Sequence, residues 1–389
     1  MKKNYVFLLF LFLFTKSFYA QVNLSVYSEV SIITAGPGTE LYEAFGHSAI
    51  RIKDPVLRLD LIYNYGMFDF NAPNFYSNFT KGNLLYRLGR YKFEYFLVGY
   101  KRDKRWVKQQ VLNLNQDEKQ AFFMYLENNV LPENASYSYD PYFNNCATKL
   151  RDITTTILGD KVNLSDKNLD KNRSFRQLMD KEIPWNTWGS FGINLALGSK
   201  LDQKADFTQY MYLPDYVHSI FNNSTLFIQN QPKKLIKRED VLLDFEELKQ
   251  KISIFNPFLI FSIISLIGIF LTYSDFKNKK RSKWIDFIIL FTTGIVGVLI
   301  VFLWFFTDHS TTPNNFNFLW AFAPNLIIAF LILGQQQQKW LNYYFKFSLF
   351  LLIIIPILWI VKLQLFPIAV IPLLILLFTR YLFLSKRLN

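Results

Sequence analysis

The last third of the chain limits its fold more than any other feature. Beyond residue 254, apolar stretches cover about 255–273, 285–306, 319–334, 347–361 and 365–384. Each is near the length a helix needs to cross ~30 Å of hydrocarbon, where backbone polar groups must be satisfied within the segment. A bundle of about five transmembrane helices is expected, the last two being readable instead as one re-entrant pair. Between the first two stretches lies DFKNKKRSK, with Lys277, Lys279, Lys280, Arg281 and Lys283 against Asp275. Basic loops stay inside, so this one is expected in the cytoplasm. Threading onward puts TDHSTTPNNFNF (307–318) outside, QQQQKWLNYYFK inside, a turn near Lys362 outside, and the tail SKRLN inside.

The other end agrees. Residues 1–20, MKKNYVFLLFLFLFTKSFYA, hold two lysines ahead of an apolar run too short to span a bilayer comfortably. They read as a secretory signal peptide cleaved after Ala20, which places residues 21–254 outside the inner membrane of a bacterium. The net charge of +13 invites a nucleic-acid reading until it is located. Beyond residue 254 there are 11 Lys+Arg against 3 Asp+Glu, and the leader holds three lysines, so only +2 is left for the exported part. The basic excess belongs to the ends of membrane segments, and no nucleic-acid partner is expected. A single Cys excludes an internal disulfide framework, and with three scattered His it speaks against a metal site. No cofactor is expected.

The exported part is long enough for its own core. VYSEVSIIT (26–34), SAIRIKD (48–54) and DLIYNYG (60–66) alternate apolar and polar residues and read as strands. LLYRLGRYKFEYFLVGYK (84–101) reads as a further hairpin or long strand pair. Asn115 and Glu118 form a capping box ahead of a helix over about 116–130, and a second helix is expected from Cys146 through ATKLRDITTTIL. Strands followed by helices without strict alternation suggest an α+β domain over 21–221. The polar, charged stretch 222–254 reads as a linker with a short helix, ahead of a membrane domain over 255–389.

Two short segments hold the residues best suited to chemistry. In Phe45-Gly46-His47-Ser48 a histidine opens a strand after a glycine-containing loop. In Tyr142-Phe143-Asn144-Asn145-Cys146-Ala147-Thr148 the only cysteine stands at a helix start. Unpaired N–H groups there favour the nucleophilic thiolate, and an adjacent imidazole would complete its activation. A lone Cys is more often a small buried hydrophobe, but an exported protein seldom keeps an unpaired thiol without a use for it. Asp308 and His309 form a second titratable pair at the outer end of a membrane helix, where ordinary interfacial polar groups also occur. His218 reads as surface. Trp185, Trp188, Trp304, Trp320 and Trp340 suit aromatic anchoring at the membrane interfaces, with core packing the alternative for the first two.

A strand-borne His followed much later by an Asn-Cys helix start resembles the circularly permuted papain-like hydrolases, the group that includes NlpC/P60-related proteins. The whole pattern resembles, more narrowly, the Lnb-type bacterial lipoprotein N-acyltransferases. The matching stretches are LYEAFGHSAIRI, IYNYGMFDF, YDPYFNNCATKLRDI, SFGINLALGSKLD, YMYLPDYV and DHSTTPNNFNFLW. The resemblance implies a permuted papain-like periplasmic thiol domain followed by the transmembrane bundle. It implies acyl transfer from a phospholipid, through a Cys146 acyl-thioester, to the α-amine of a diacylated lipoprotein cysteine. Cys146 would be the nucleophile and His47 the general base and acid. Asn64 is the choice for the group that orients the imidazole, with Asp69 beyond it on the same stretch. The Cys146 N–H, together with Asn145, is the candidate oxyanion site, and Asp308 and His309 are candidates for contacting substrate. Two other readings stay open: a membrane-anchored cysteine peptidase or amidase acting on cell-wall peptide, and a non-enzymatic membrane scaffold.

Overall fold

The computed structural model describes residues 22–69, 71–167, 169–229, 231–248, 250–334 and 339–387. The expected signal peptide and the QQQQ run lie outside the described residues. The chain begins with strands β1 (Glu29–Ala35), β2 (His47–Asp54) and β3 (Leu59–Met67), then α1 (Phe75–Lys81), β4 (Leu85–Lys92), α2 (Phe93–Arg102) and β5 (Val107–Leu112). Next come α3 (Gln116–Val130), β6 (Ser136–Ser138), α4 (Cys146–Leu158), β7 (Val162–Asn163), α5 (Phe175–Glu182) and α6 (Trp188–Ala196). The exported part closes with α7 (Pro214–Asn223), β8 (Thr225–Ile228), β9 (Gln231–Lys234) and β10 (Ile236–Leu243). The remaining helices are α8 (Pro257–Lys277), α9 (Lys283–Phe305), α10 (Asn325–Leu331), α11 (Trp340–Ile360) and α12 (Ile371–Arg387).

The N-terminal part is α+β. Its main sheet is antiparallel, in the order β10-β5-β1-β2-β3-β4-β6, and a small sheet pairs β7, β8 and β9. Strand alternation sorts the two faces of the main sheet. Val30, Ile32, Ile50, Ile52 and Tyr63 pack against Phe122 and Leu126 of α3, Leu150 and Ile153 of α4, and Phe221 of α7. Their neighbours Ile33, Ala35, Ala49 and Ile62 face the other way, onto Phe93 and Phe96 of α2. The capping box at Asn115 and Glu118 opens α3 where the sequence predicts it.

Some expectations need correction. The second half of 84–101 is the helix α2 and not a second strand. Phe93, Phe96 and Tyr100 recur at helical spacing, and their stacked or tilted rings lie 5.8 and 4.6 Å apart. The stretch 222–254 holds three strands in place of a linker helix, and β10 pairs with β5 along the edge of the main sheet. Its charged look has a simple cause, because an edge strand turns Lys237, Arg238, Glu239 and Asp240 toward water and ion partners. The others lie in the membrane part.

Four helices among the described residues are long and apolar enough to span a membrane: α8, α9, α11 and the stretch Ile368–Arg387. The fourth and fifth apolar stretches are thus two long helices and not a re-entrant pair. The third stretch, 319–334, is broken. Pro324 lacks an N–H and pushes Ala323 away from helical geometry, so only the seven residues of α10 are helical. The strip nevertheless runs the length of α9. A Cβ on Gly297 would stand 2.1 Å from the Ala321 carbonyl, and one on Gly294 2.3 Å from the Leu326 nitrogen. At the far end, Arg281 and Lys283 hold the carbonyls of Ile332 and Gly334.

Two clusters of buried polar groups hold the bundle together. Asn325 donates to Thr293 and Tyr381 and accepts from Tyr344. Fully buried Arg380 holds Asp286 at 2.6 Å and Asp275 at 2.8 Å, and Arg281 reaches Asp286 from the side. Trp320 is also buried, its Nε1 donating to Asn317, so it is a core residue and not an interfacial anchor.

The two parts are bonded together. Gly198 N donates to Thr311 O and Ser199 N to Asn314 O, while Asp202 accepts from Leu365 N. Asp202 is itself held by Arg176, a buried pair at 2.9 Å, and Arg176 also donates to Asn194 and to the carbonyls of Leu197 and Gly198. Trp185 and Trp188, both about half exposed, lie against Phe258 and Phe261 at the start of α8.

Candidate functional site

Cys146 is the first residue of α4, and local chemistry fixes that start. Asn145 Oδ1 accepts from the Ala147 and Thr148 N–H groups, both at 2.9 Å, while Thr148 Oγ1 accepts from Asn145 N. The Asn145 amide nitrogen donates to Pro141 O and Tyr212 O. Every donor and acceptor of this buried amide side chain is therefore engaged in holding the helix start. Both of its side-chain protons are committed to these carbonyls. Cys146 N–H is the leading amide that this cap leaves over. Just upstream, Asp140 Oδ1 accepts from Tyr142 N and Phe143 N, shaping the turn that delivers the cysteine.

His47 opens β2 opposite Ala35 of β1. The preceding Gly46 has φ +72°, and a Cβ there would stand 2.8 Å from Ala35 O, so glycine is the residue that fits this turn into the strand. The imidazole Nε2 meets Asn64 Oδ1 at 2.6 Å, and Asn64 Nδ2 donates to the Tyr91 hydroxyl at 2.9 Å. An amide held in this sense accepts from Nε2–H, which leaves Nδ1 as the basic nitrogen. Phe96 of α2 packs beside the ring.

The thiol and the imidazole are hydrogen-bonded, across about 100 residues of sequence. Burial opposes ionisation of Cys146. The neighbouring His47, its hydrogen bond, and the N–H groups of Ser48 and Ala147 outweigh that, and hold the thiol below its usual range. Burial likewise works against a charged His47, and Arg105 opposes it too. Cys146 and the Asn64 bond prevail, and the imidazole is raised. The two directions are mutual, because each group favours the charged form of the other. Both side chains stay partly open to solvent.

Asp308 and His309 lie against the end of α1. Asp308 N donates to Lys81 O at the end of α1, and a Cβ on Gly82 would stand 2.6 Å from His309 N. Next to them, Ser310 Oγ donates to Asp140 Oδ2, in the turn before Cys146, and Ser310 O accepts from Lys200, whose ammonium lies 4.7 Å over the Phe143 ring. His218 is not a free surface group, since it is largely buried against Glu239 at 3.3 Å. Sequence reasoning missed Tyr91, Tyr139 and Asp140. For Asp140 the Asp-Pro step was a turn signal, whereas a single sequence gives none for the other two.

Fold and site together define a membrane protein whose α+β domain brings a thiol, an imidazole and an amide together and is bonded to a helical bundle. Residues 14–188 match the model of the Lnb N-terminal periplasmic domain, and residues 249–387 match that of the Lnb transmembrane domain. The chain belongs to the Lnb family, with a periplasmic N-terminal domain and a multi-span membrane domain, and membership implies lipoprotein N-acylation. That family domain is described as five-helix, which accords with four long helices plus the broken strip. Comparison with the curated proteins and with the solved structures gives no match.

Proposed function

We propose that this protein is a ping-pong acyltransferase with Cys146 as nucleophile and His47 as its base and acid, on a permuted papain-like domain. The Cys146 thiol gives its proton to His47 Nδ1, and the sulfur attacks an ester carbonyl of a phospholipid. The oxyanion is received by Cys146 N–H at the helix start. When the C–O bond breaks, His47 returns the proton to the departing lysophospholipid, leaving a thioester. The α-amine of a diacylglyceryl-modified lipoprotein cysteine then attacks, a C–N bond forms, the C–S bond breaks, and an amine proton passes back through His47 to the thiolate. Thioesters yield to amines far more readily than esters do, so the covalent step divides one hard transfer into two easier ones.

The observation that carries this reading is the bond from Ser310 of the membrane domain to Asp140 in the turn that delivers Cys146. A thiol whose delivering turn is bonded to the bundle suits two substrates whose chains lie in the bilayer, whereas a peptidase acting on soluble peptide gains nothing from that bond. The basic segments also lie at the ends of α8, α9 and α12 remote from the α+β domain, with Arg387 bonded to Lys279 O, which supports a cytoplasmic C-terminus.

The test is intact-protein mass spectrometry of the full chain in phospholipid vesicles. Cys146 should gain one fatty acyl chain without an acceptor and lose it to a diacylated lipopeptide with a free amine, but not to its N-acetylated form. Cleavage of cell-wall peptide at a fast rate with no acyl adduct would establish the amidase reading instead.

A further inference from the structure

The excursion between β3 and β4 has no role in the chemistry above. Residues 71–83 leave the sheet, form α1 and return. Its apolar side chains are unusually bare: Tyr76 is 72% exposed, Phe79 49%, and Leu85 just beyond it 71%. In water such a cluster is costly, and bare aromatics on a small helix mark a surface made to be covered.

Position says by what. The excursion touches the membrane domain backbone to backbone, through Lys81 O with Asp308 N and Gly82 with His309 N. Those residues come directly after α9, a 23-residue apolar helix whose last residue, Phe305, and the Phe306 that follows it are 65% and 69% exposed. The end of a spanning helix sits at the edge of the hydrocarbon, so α1 is held at that height, where amphipathic rings and a lysine such as Lys81 are at home.

The rings also lead inward. Phe79 and Phe75 stack with centroids 6.2 Å apart, Phe75 and Phe68 at 6.0 Å, Phe68 meets Tyr86 at 4.9 Å, and Tyr86 stacks on Tyr139 at 4.2 Å. Tyr139 closes the row at the thiol. A Cβ built on Gly66 would stand 3.7 Å from the Tyr139 ring and 3.9 Å from Cys146 Cβ. We propose that α1 inserts Tyr76 and Phe79 into the outer leaflet, and that the aromatic row behind them guides a lipid acyl chain to Cys146. The second half rests on the acyl-transfer reading, while the first stands without it.

Cys146 is the only cysteine, which makes a depth measurement clean. In a Cys146→Ser background, Phe79→Cys is spin-labelled in phosphatidylethanolamine–phosphatidylglycerol vesicles, and its collision rates with oxygen and with a water-soluble nickel chelate are compared. The label should favour oxygen, at interfacial depth. Separately, with Cys146 intact, Tyr76→Ser/Phe79→Ser should form the acyl adduct from vesicle phospholipid about tenfold more slowly. It should be acylated by a water-soluble short-chain ester at the wild-type rate, which also shows that the variant is folded. A label exposed to the nickel chelate, or an unchanged rate on vesicles, overturns the proposal. If the wild-type protein takes an acyl group from neither donor, the acyl-transfer reading and the guiding role fall together, and the depth measurement still decides the insertion.

Discussion

Asn64 should set how well His47 works, and the cost of losing it follows from its two bonds. Its Oδ1 accepts from Nε2 at 2.6 Å, and its Nδ2 is fixed on Tyr91 at 2.9 Å, so the amide cannot easily rotate to offer a donor instead. In Asn64→Ala the imidazole loses the partner that selects its tautomer and steadies its charged form. A bond to an ionised group contributes ~1.5–3 kcal/mol, which corresponds to roughly 10- to 150-fold in the acylation rate. Tyr91→Phe removes only the support behind the amide, and a neutral bond of ~0.5–1.5 kcal/mol makes its effect about 2- to 10-fold. The pH dependence has a sign. The Asn64 bond raises His47, so its loss should move the alkaline limb of the profile to lower pH, and Asn64→Asp should move it higher. The assay is the rate of Cys146 acylation against pH, with iodoacetamide alkylation of this single thiol as a measure that needs no lipid. An Asn64→Ala protein with an unchanged rate and profile would refute the positioning role.

Further outcomes follow from other contacts. Cys146→Ser and His47→Ala should each nearly abolish lipoprotein acylation, with the double variant little worse, because the two groups act as one unit; the readout is mass spectrometry of lipoprotein N-termini. Asn145→Ala strips the cap of α4 and two carbonyls of their donor, and should cost about 2–4 kcal/mol of stability, seen as a lower Tm. Arg176→Ala leaves Asp202 buried without its cation, and should cost ~3–5 kcal/mol and loosen the contact with Leu365, seen as faster proteolysis at the junction. A reporter fused after Lys251 should be active only in the periplasm, and one fused within 277–281 only in the cytoplasm.

What could be read from the sequence divides along physical lines. β1 to β3 alternate cleanly because one face of each meets the α3–α4–α7 layer, and a capping box announces α3. Segment 84–101 misleads because Phe93 and Phe96 serve a helix whose pattern, beside β4, passes for a continued strand. The strand β10 hides because its ladder partner lies more than 100 residues away, and only pairing explains its charges. His47 and Cys146 stand out by residue type and local setting. Asn64 could be named but not placed, since its strand face depends on register. The hold of the Asn145 amide on Tyr212 is invisible in the sequence, because nothing local tells of that contact.

The broken strip beside α9 bears on how the protein is made. A seven-residue helix rises about 10 Å, a third of the bilayer core, and the rest of the strip lacks the continuous helical bonding by which a segment crosses lipid on its own. In its native shape the strip is tolerable only where Gly294 and Gly297 let its backbone lie directly on α9. During synthesis α9 leaves the ribosome first. The strip must therefore either enter as a provisional continuous helix and break later, or wait and enter already folded against its predecessor. In both routes α9 acts as a template for the segment that follows it. A bulky residue at Gly297 should accordingly show itself first in the yield of inserted protein, before any effect on the chemistry at Cys146.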